Sequence, residues 1–248
     1  MNIMAEPTIK CTKCGTEFPK RQIRCTNCHE IGISKLYRYV RFDVHSLSIL
    51  IEKKIWFPSA ESLNDPFEFD FYCPDMHING IPIDLTSFEE AKRAMNQMGV
   101  LSLSEINNNI LMWSHYSDSH KGFCIEFERT DSNEFGNSDH CVPVNYDENL
   151  LEIKPLELAD SKTVTKILTK KSFLWTYEKE WRIISKTGNQ TFDLPGNITG
   201  IIFGLKMPIV NRRLIMTILG DTVRYMHATK NLTKFTIDIK PLTPAELK

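Results

Sequence analysis

Four cysteines near the start, Cys11-x2-Cys14 and Cys25-x2-Cys28, constrain this chain more than any other feature. Cysteines spaced this way aim two thiolates at one point. Two such pairs, with ten residues between them, close a tetrahedral sulfur shell of the structural zinc type. Four thiolates leave no position open for water or substrate, so a Zn²⁺ there would organise chain, not chemistry. Gly15 follows the first pair, where a turn with positive φ is useful. Two disulfides would need an oxidising compartment. Nothing points to one: the stretch Met1–Pro7 lacks a basic region followed by an apolar one, and no apolar run approaches the ~18 residues of a membrane span. The expectation is a cytoplasmic protein with no membrane partner, whose residues 1–33 form a zinc ribbon. Lys10, Lys13, Lys20, Arg21 and Arg24 there face only Glu6, Glu17 and Glu30. The ribbon could therefore guide a nucleic-acid or protein target. The plainer reading is a solvated surface on a metal-stapled module.

Residues 34–248 read as one α+β unit. A hydrophobic content of 42% is enough to build a core, and a net charge of −1 provides no global field for nucleic acid. Leu36–Val40 reads as a strand with Tyr37 and Tyr39 on one face and Arg38 on the other. Asp43 caps a helix to about Lys54 that carries Leu47, Leu50 and Ile51. Ile55–Phe57 is a short strand, and 58–71 an ordered loop with Asn64-Asp65-Pro66 as its turn. Thr86-Ser-Phe-Glu89 is a capping box for a helix ending near Gly99. Val100–Ser104 alternates apolar residues with Ser102 and Ser104. Leu111–Tyr116 is a helical turn or two. Gly122–Glu128 and Cys141–Tyr146 are strands, and 161–173 is helical. Ile198–Phe203 is a buried strand. Pro208 opens a helix to about His227, and Phe235–Ile239 is the last strand. Clustered strands with few helices argue for α+β. Neither GxGxxG nor GxxxxGK[ST] occurs, so no Rossmann or P-loop site is indicated.

The densest chemistry lies in Trp175-Thr-Tyr-Glu-Lys-Glu-Trp-Arg182. Read as a strand, it puts Glu178, Glu180 and Arg182 on one face between aromatic neighbours. Carboxylates there are partly desolvated and act at a lowered dielectric. Glu180 is the candidate catalytic carboxylate, with Glu178 beside it and Arg182 as a supporting ion pair. A surface strand with an ordinary salt bridge is the alternative. Met112-Trp-Ser-His-Tyr116 supplies a second cluster, in which Trp113, His115 and Tyr116 could wall a flat ring. His115 and His120 lie about 140° apart on a helix, so they do not share a metal. Asn64 marks a candidate substrate loop, Asn64–Glu68, and Ser102 or Ser104 could position a ribose. Each also has a bland explanation in turn chemistry or a solvated strand face. Cys124 sits in an apolar strand without a marked base.

These pieces together resemble a widespread bacterial domain family of uncharacterised function. They are Leu36-Tyr-Arg-Tyr39, Asn64-Asp-Pro-Phe-Glu68, Leu101-Ser-Leu-Ser104, Trp113-Ser-His-Tyr116 through Phe127, and Glu178-Lys-Glu-Trp-Arg182. Their order is similar to that of distant ADP-ribosyltransferases, with an Arg on a first strand, a Ser on a middle strand and a Glu-x-Glu later. Leu-Ser-Leu-Ser departs from a clean Ser-Thr-Ser. The resemblance implies a split-sheet core with flanking helices and an enzyme that cleaves NAD to modify a nucleic-acid or protein target, as a toxin or phage-defence effector would. In that reading Arg38 and Tyr37 hold the dinucleotide, and Trp113 or Tyr116 stacks on its rings. A non-catalytic zinc-ribbon binding module and a metal-dependent nuclease, drawing on Asp65, Glu68, Glu178 and Glu180, remain the other readings.

Overall fold

The structure, a computed structural model, describes residues 6–75, 77–78, 80–82 and 85–243. The stretch Met1–Ala5, where a leader would begin, lies outside the described residues. Eight strands form the main sheet: β1 (Lys35–Val40), β2 (Gly99–Ser104), β3 (Phe123–Glu128), β4 (Cys141–Pro143), β5 (Glu180–Ser185), β6 (Ile198–Phe203), β7 (Arg224–Lys230) and β8 (Ile237–Pro241). Their spatial order is β4-β5-β2-β1-β3-β6-β7-β8. Neighbours run antiparallel except β6 and β7, which are parallel. A parallel pair needs a crossover, and helix α5 (Ile209–Leu219) supplies it. The fold is mixed α+β, as the strand-rich pattern predicts.

Side chains alternate across this sheet, and both faces are covered. On one face Leu36, Leu101, Phe127, Trp181 and Phe203 pack against Ile49 and Leu50 of helix α1 (Val44–Glu52) and Ile215 of α5. The other face carries two separate apolar clusters. Helix α3 (Ile110–Tyr116) lays Met112 and Trp113 over Tyr39, Cys124 and Ile202. Helices α2 (Leu85–Asn96) and α4 (Ser161–Leu168) bring Met95 and Ile167 with Phe69 and Phe71 onto Val100. Between the two clusters the sheet surface is left to polar side chains.

One join in the sheet is narrow. β2 pairs with β5 from Gly99 to Ser104 and β1 pairs with β3 along its whole length, but β1 and β2 pair at a single position, Tyr37 with Ser104. Beyond it Arg38 Nη1 donates to the Ser102 carbonyl at 2.8 Å. A side-chain donor thereby takes up an acceptor that a continuous ladder would use.

The N-terminal knob is a hairpin of Thr8–Lys10 and Glu17–Pro19, with Phe18 buried among Cys11 and Cys25.

Several sequence expectations are corrected. The segment 173–178 is a 3-10 helix, and β5 begins only at Glu180. Lys179 between them takes a left-handed φ of 47°, which breaks the alternation assumed for Glu178 and Glu180. The helix read over 161–173 stops at Leu168, and Lys170–Ser172 pairs instead with Asn145–Asp147. The strand read over 141–146 is correspondingly two: Pro143, lacking an N–H, ends the first. The helix from Pro208 ends at Leu219, where Gly220 at φ 55° turns the chain into β7. Helix α2 begins at Leu85, so Thr86 lies inside it and is not its cap. Ile51 of α1 is 62% exposed and faces away from the core. The last strand is shifted to Ile237–Pro241.

Candidate functional site

A cavity of about 190 Å³ opens between the two apolar clusters, over the narrow join. Its floor is Glu180 and Arg182 of β5, Ser102 and Ser104 of β2, and Tyr37 and Arg38 of β1. The loop after Pro58 contributes Asn64 and Glu68, α3 contributes Tyr116, and Glu178 and Lys171 come from the segment before β5. Alternation sets the floor: Glu180 is in register with Ser104 and Arg182 with Ser102, so all four share a face.

The wall is a buried charge network. Arg182, fully buried, donates Nε and Nη2 to the two oxygens of Glu180 at 2.9 and 3.0 Å. Its Nη1 donates to Glu68 Oε1 and to the Leu168 carbonyl. Lys171 Nζ donates to Glu178 Oε2 at 2.7 Å and to Glu180 Oε2 at 3.2 Å. Tyr116 donates its hydroxyl proton to Glu178 Oε1 and accepts from Asn64 Nδ2 at 2.9 Å. The left-handed Lys179 folds Glu178 back, which lets two carboxylates on different elements share one ammonium. Three carboxylates meet Lys171 and Arg182 here, and buried ion pairs of this kind are tolerable only with extensive hydrogen bonding.

The carboxylates are not equivalent. Burial alone would raise Glu180, but Arg182 and then Lys171 pull it down to about 2. Burial wins at Glu178 and Glu68, which are raised despite Lys171 and Arg182 respectively. Burial lowers Arg38 to about 10, with Glu180 opposing. Two buried atoms of the wall have no hydrogen-bond partner, Arg38 Nε and Glu68 Oε2. Native proteins leave few such atoms, and each calls for an explanation.

The structure brings most sequence candidates to this one cavity: Tyr37, Arg38, Asn64, Ser102, Ser104 and Tyr116, with Glu178 and Glu180. Ser104 also has a structural duty, donating to the Glu178 carbonyl at 2.6 Å and accepting from Ile106 N–H. Trp113 is a correction. It is fully buried, bonded through Nε1 to the Asn107 carbonyl and edge-on to Tyr39, so no ligand ring can reach it. His115 is exposed beside Tyr177, with Nδ1 3.2 Å from the Tyr177 hydroxyl, and does not line the cavity. Cys124 is fully buried and burial drives its thiol well above the ordinary range, so it is no nucleophile. Lys171 is the residue that sequence reasoning missed; reading 161–173 as a helix hid it. The sequence reading gives Glu68 a place in the substrate loop and among the nuclease carboxylates, but not as the partner of Arg182.

At the knob, the sulfurs of Cys11, Cys14, Cys25 and Cys28 all lie within 4.8 Å of one another. Cys11 and Cys28 approach to 3.5 Å and Cys14 and Cys25 to 3.6 Å. A tetrahedron with Zn–S of about 2.3 Å has edges of about 3.8 Å. The four cysteines thus could bind a metal such as zinc. The knob's basic residues are largely engaged: Lys13 with Glu30, Lys20 with Glu105, Arg21 with Glu6 and Arg24 with Asp131. Among the described residues no helix is long and apolar enough to cross a membrane.

No curated protein and no solved structure matches the chain. Residues 112–183 match the model of a family described as a protein of unknown function (DUF2971), a span that carries Tyr116, Lys171, Glu178, Glu180 and Arg182.

Proposed function

We propose that the cavity is a sugar-nucleotide site and that the protein is an ADP-ribosyltransferase-like enzyme acting on NAD. The observation that carries this reading is the pair of unpartnered buried atoms, a guanidinium N–H at Arg38 and a carboxylate oxygen at Glu68. A ligand with both acceptors and donors could relieve each of them, and the hydroxyls and phosphates of a sugar nucleotide supply both kinds. The order of residues along the chain, Arg38 then Ser102 then Glu-x-Glu, gives the analogy its form.

The geometry favours Glu178 over Glu180 for the reacting carbon. Glu180 is tied through both oxygens to Arg182 and Lys171. Glu178 has one oxygen on a neutral hydroxyl, that of Tyr116, which can turn away to a ligand. Breaking the nicotinamide–ribose bond builds positive charge on the sugar carbon, and a carboxylate facing it stabilises that state more than the ground state. A divalent-metal nuclease finds less support, because the Lys171 ammonium lies where an ion between Glu178 and Glu180 would have to bind.

Melting with and without NAD, together with nicotinamide release, tests the proposal. Saturating NAD should stabilise the protein by about 2.7 kcal/mol at a hundredfold excess over its dissociation constant. Glu178→Gln should fold normally and release nicotinamide about 10²–10³-fold more slowly. A folded wild-type protein that neither shifts with NAD nor releases nicotinamide would sink the reading and leave a binding module.

A further inference from the structure

We infer that the tetra-cysteine knob positions the cavity's charged wall, acting through Trp181 from the opposite face of β5. The inference rests on contacts and not on which ligand the cavity takes.

Trp181 sits between Glu180 and Arg182, so its ring lies on the far side of the sheet from the cavity. It is fully buried. Two cations lie over it, the Arg129 guanidinium carbon at 4.6 Å and the Lys20 ammonium at 5.9 Å from the ring centroid. Lys20 belongs to the knob, between its two cysteine pairs. Its Nζ is 2.6 Å from Glu105 Oε2, and the same oxygen accepts from Trp181 Nε1 at 2.9 Å. The backbone N–H of Glu105 in turn holds the Lys179 carbonyl at 3.1 Å, the residue between the two cavity glutamates. Lys20 therefore reaches the Glu178–Glu180 pair by two routes, through Trp181 alone and through Glu105 and then Lys179.

Arg129 makes the second tie. Nε donates to the Phe135 carbonyl at 2.8 Å, Nη1 to that of Ile33 at 3.2 Å, and Nη2 to that of Arg21 in the knob. A buried guanidinium that spends its donors on three separate backbone segments fixes those segments to one another. Lys20 and Arg21 lie on the loop that a metal on Cys11, Cys14, Cys25 and Cys28 would close, so the metal would set where both residues point. The four sulfurs fit that role, and the partners they orient are Glu105, Trp181 and Arg129.

Hydrogen exchange read by mass spectrometry on the full chain tests this, in metal-loaded protein, after metal removal by a chelator, and in a Lys20→Gln variant shown to keep its metal. The knob hairpin, residues 104–106 and β5 should all exchange about tenfold faster after chelation, while β6 and β7 stay protected. Lys20→Gln should show the same pattern at β5 and 104–106 with the knob hairpin unchanged. If β5 stays as protected as β6 once the knob has exchanged, the inference is overturned. It is equally overturned if every strand loses protection together, since the knob would then support the whole fold and not this strand. NAD binding plays no part in either readout, so failure here and failure of the proposed function are separate results.

Discussion

Two places in this molecule crowd anionic groups together, the four cysteine sulfurs of the knob and the three glutamates of the cavity wall. They are balanced in opposite ways. The cavity's cations, Lys171 and Arg182, are covalently part of the chain and sit 2.5 to 3.2 Å from the carboxylates they serve. The sulfurs could instead be balanced by a metal taken from solution. The first arrangement carries its own counter-charges in the chain. With a metal on its sulfurs, the second would follow the supply of metal.

The contrast breaks most visibly at the sulfurs. Replacing Cys25, which is buried, removes one of the four sulfurs that could hold a metal. Cys25→Ser should lose bound metal on elemental analysis and unfold the hairpin, since metal binding contributes about 10–16 kcal/mol in small zinc modules. In the cavity wall the largest effect should come from Arg182→Met, which strands Glu180 and Glu68 in the interior. Breaking such a pair from one side costs about 3–5 kcal/mol, read as a lower midpoint in urea. Metal retained in that variant would show the two regions balancing their charges independently.

A pH titration of stability sharpens the same point. The Glu180 carboxyl in the folded chain is held near 2, below its unfolded value of about 4.3. Its contribution is full above that unfolded value and drains away as pH falls from there toward 2. The acid limb of the melting curve should flatten in Glu180→Gln, after allowing for that variant's lower stability at neutral pH. The smallest expected change is Tyr116→Phe. It removes the hydroxyl that Glu178 Oε1 accepts from, and should cost about 1 kcal/mol while leaving the Lys171 contact intact.

How much of this could be read along the chain depended on distance. The knob was legible because its four cysteines fall within eighteen residues and their spacing alone predicts that the sulfurs gather. Strands β1, β2, β3 and β6 were legible from alternation or from short apolar runs. Glu180 and Arg182 could be assigned to one face, because a strand does place i and i+2 together. Glu178 escaped that rule, since the left-handed Lys179 cannot be foreseen from a lysine that has no steric reason to adopt it. Lys171 was illegible for a different reason. A lysine beside Lys170 reads as solvated, and only the pairing of 170–172 with 145–147 turns one of the two inward. Trp113 misled because an indole in a polar cluster looks the same whether it faces a ligand or the core.

The single rung between β1 and β2 has a consequence for the cavity. The sheet is two panels that share one ladder position, Tyr37 against Ser104, with the Arg38–Ser102 bond beside it. Arg38 stands on one panel, while Glu180 and Arg182 stand on the other. The cavity therefore draws its lining from both sides of the place where the fewest ladder positions join the sheet.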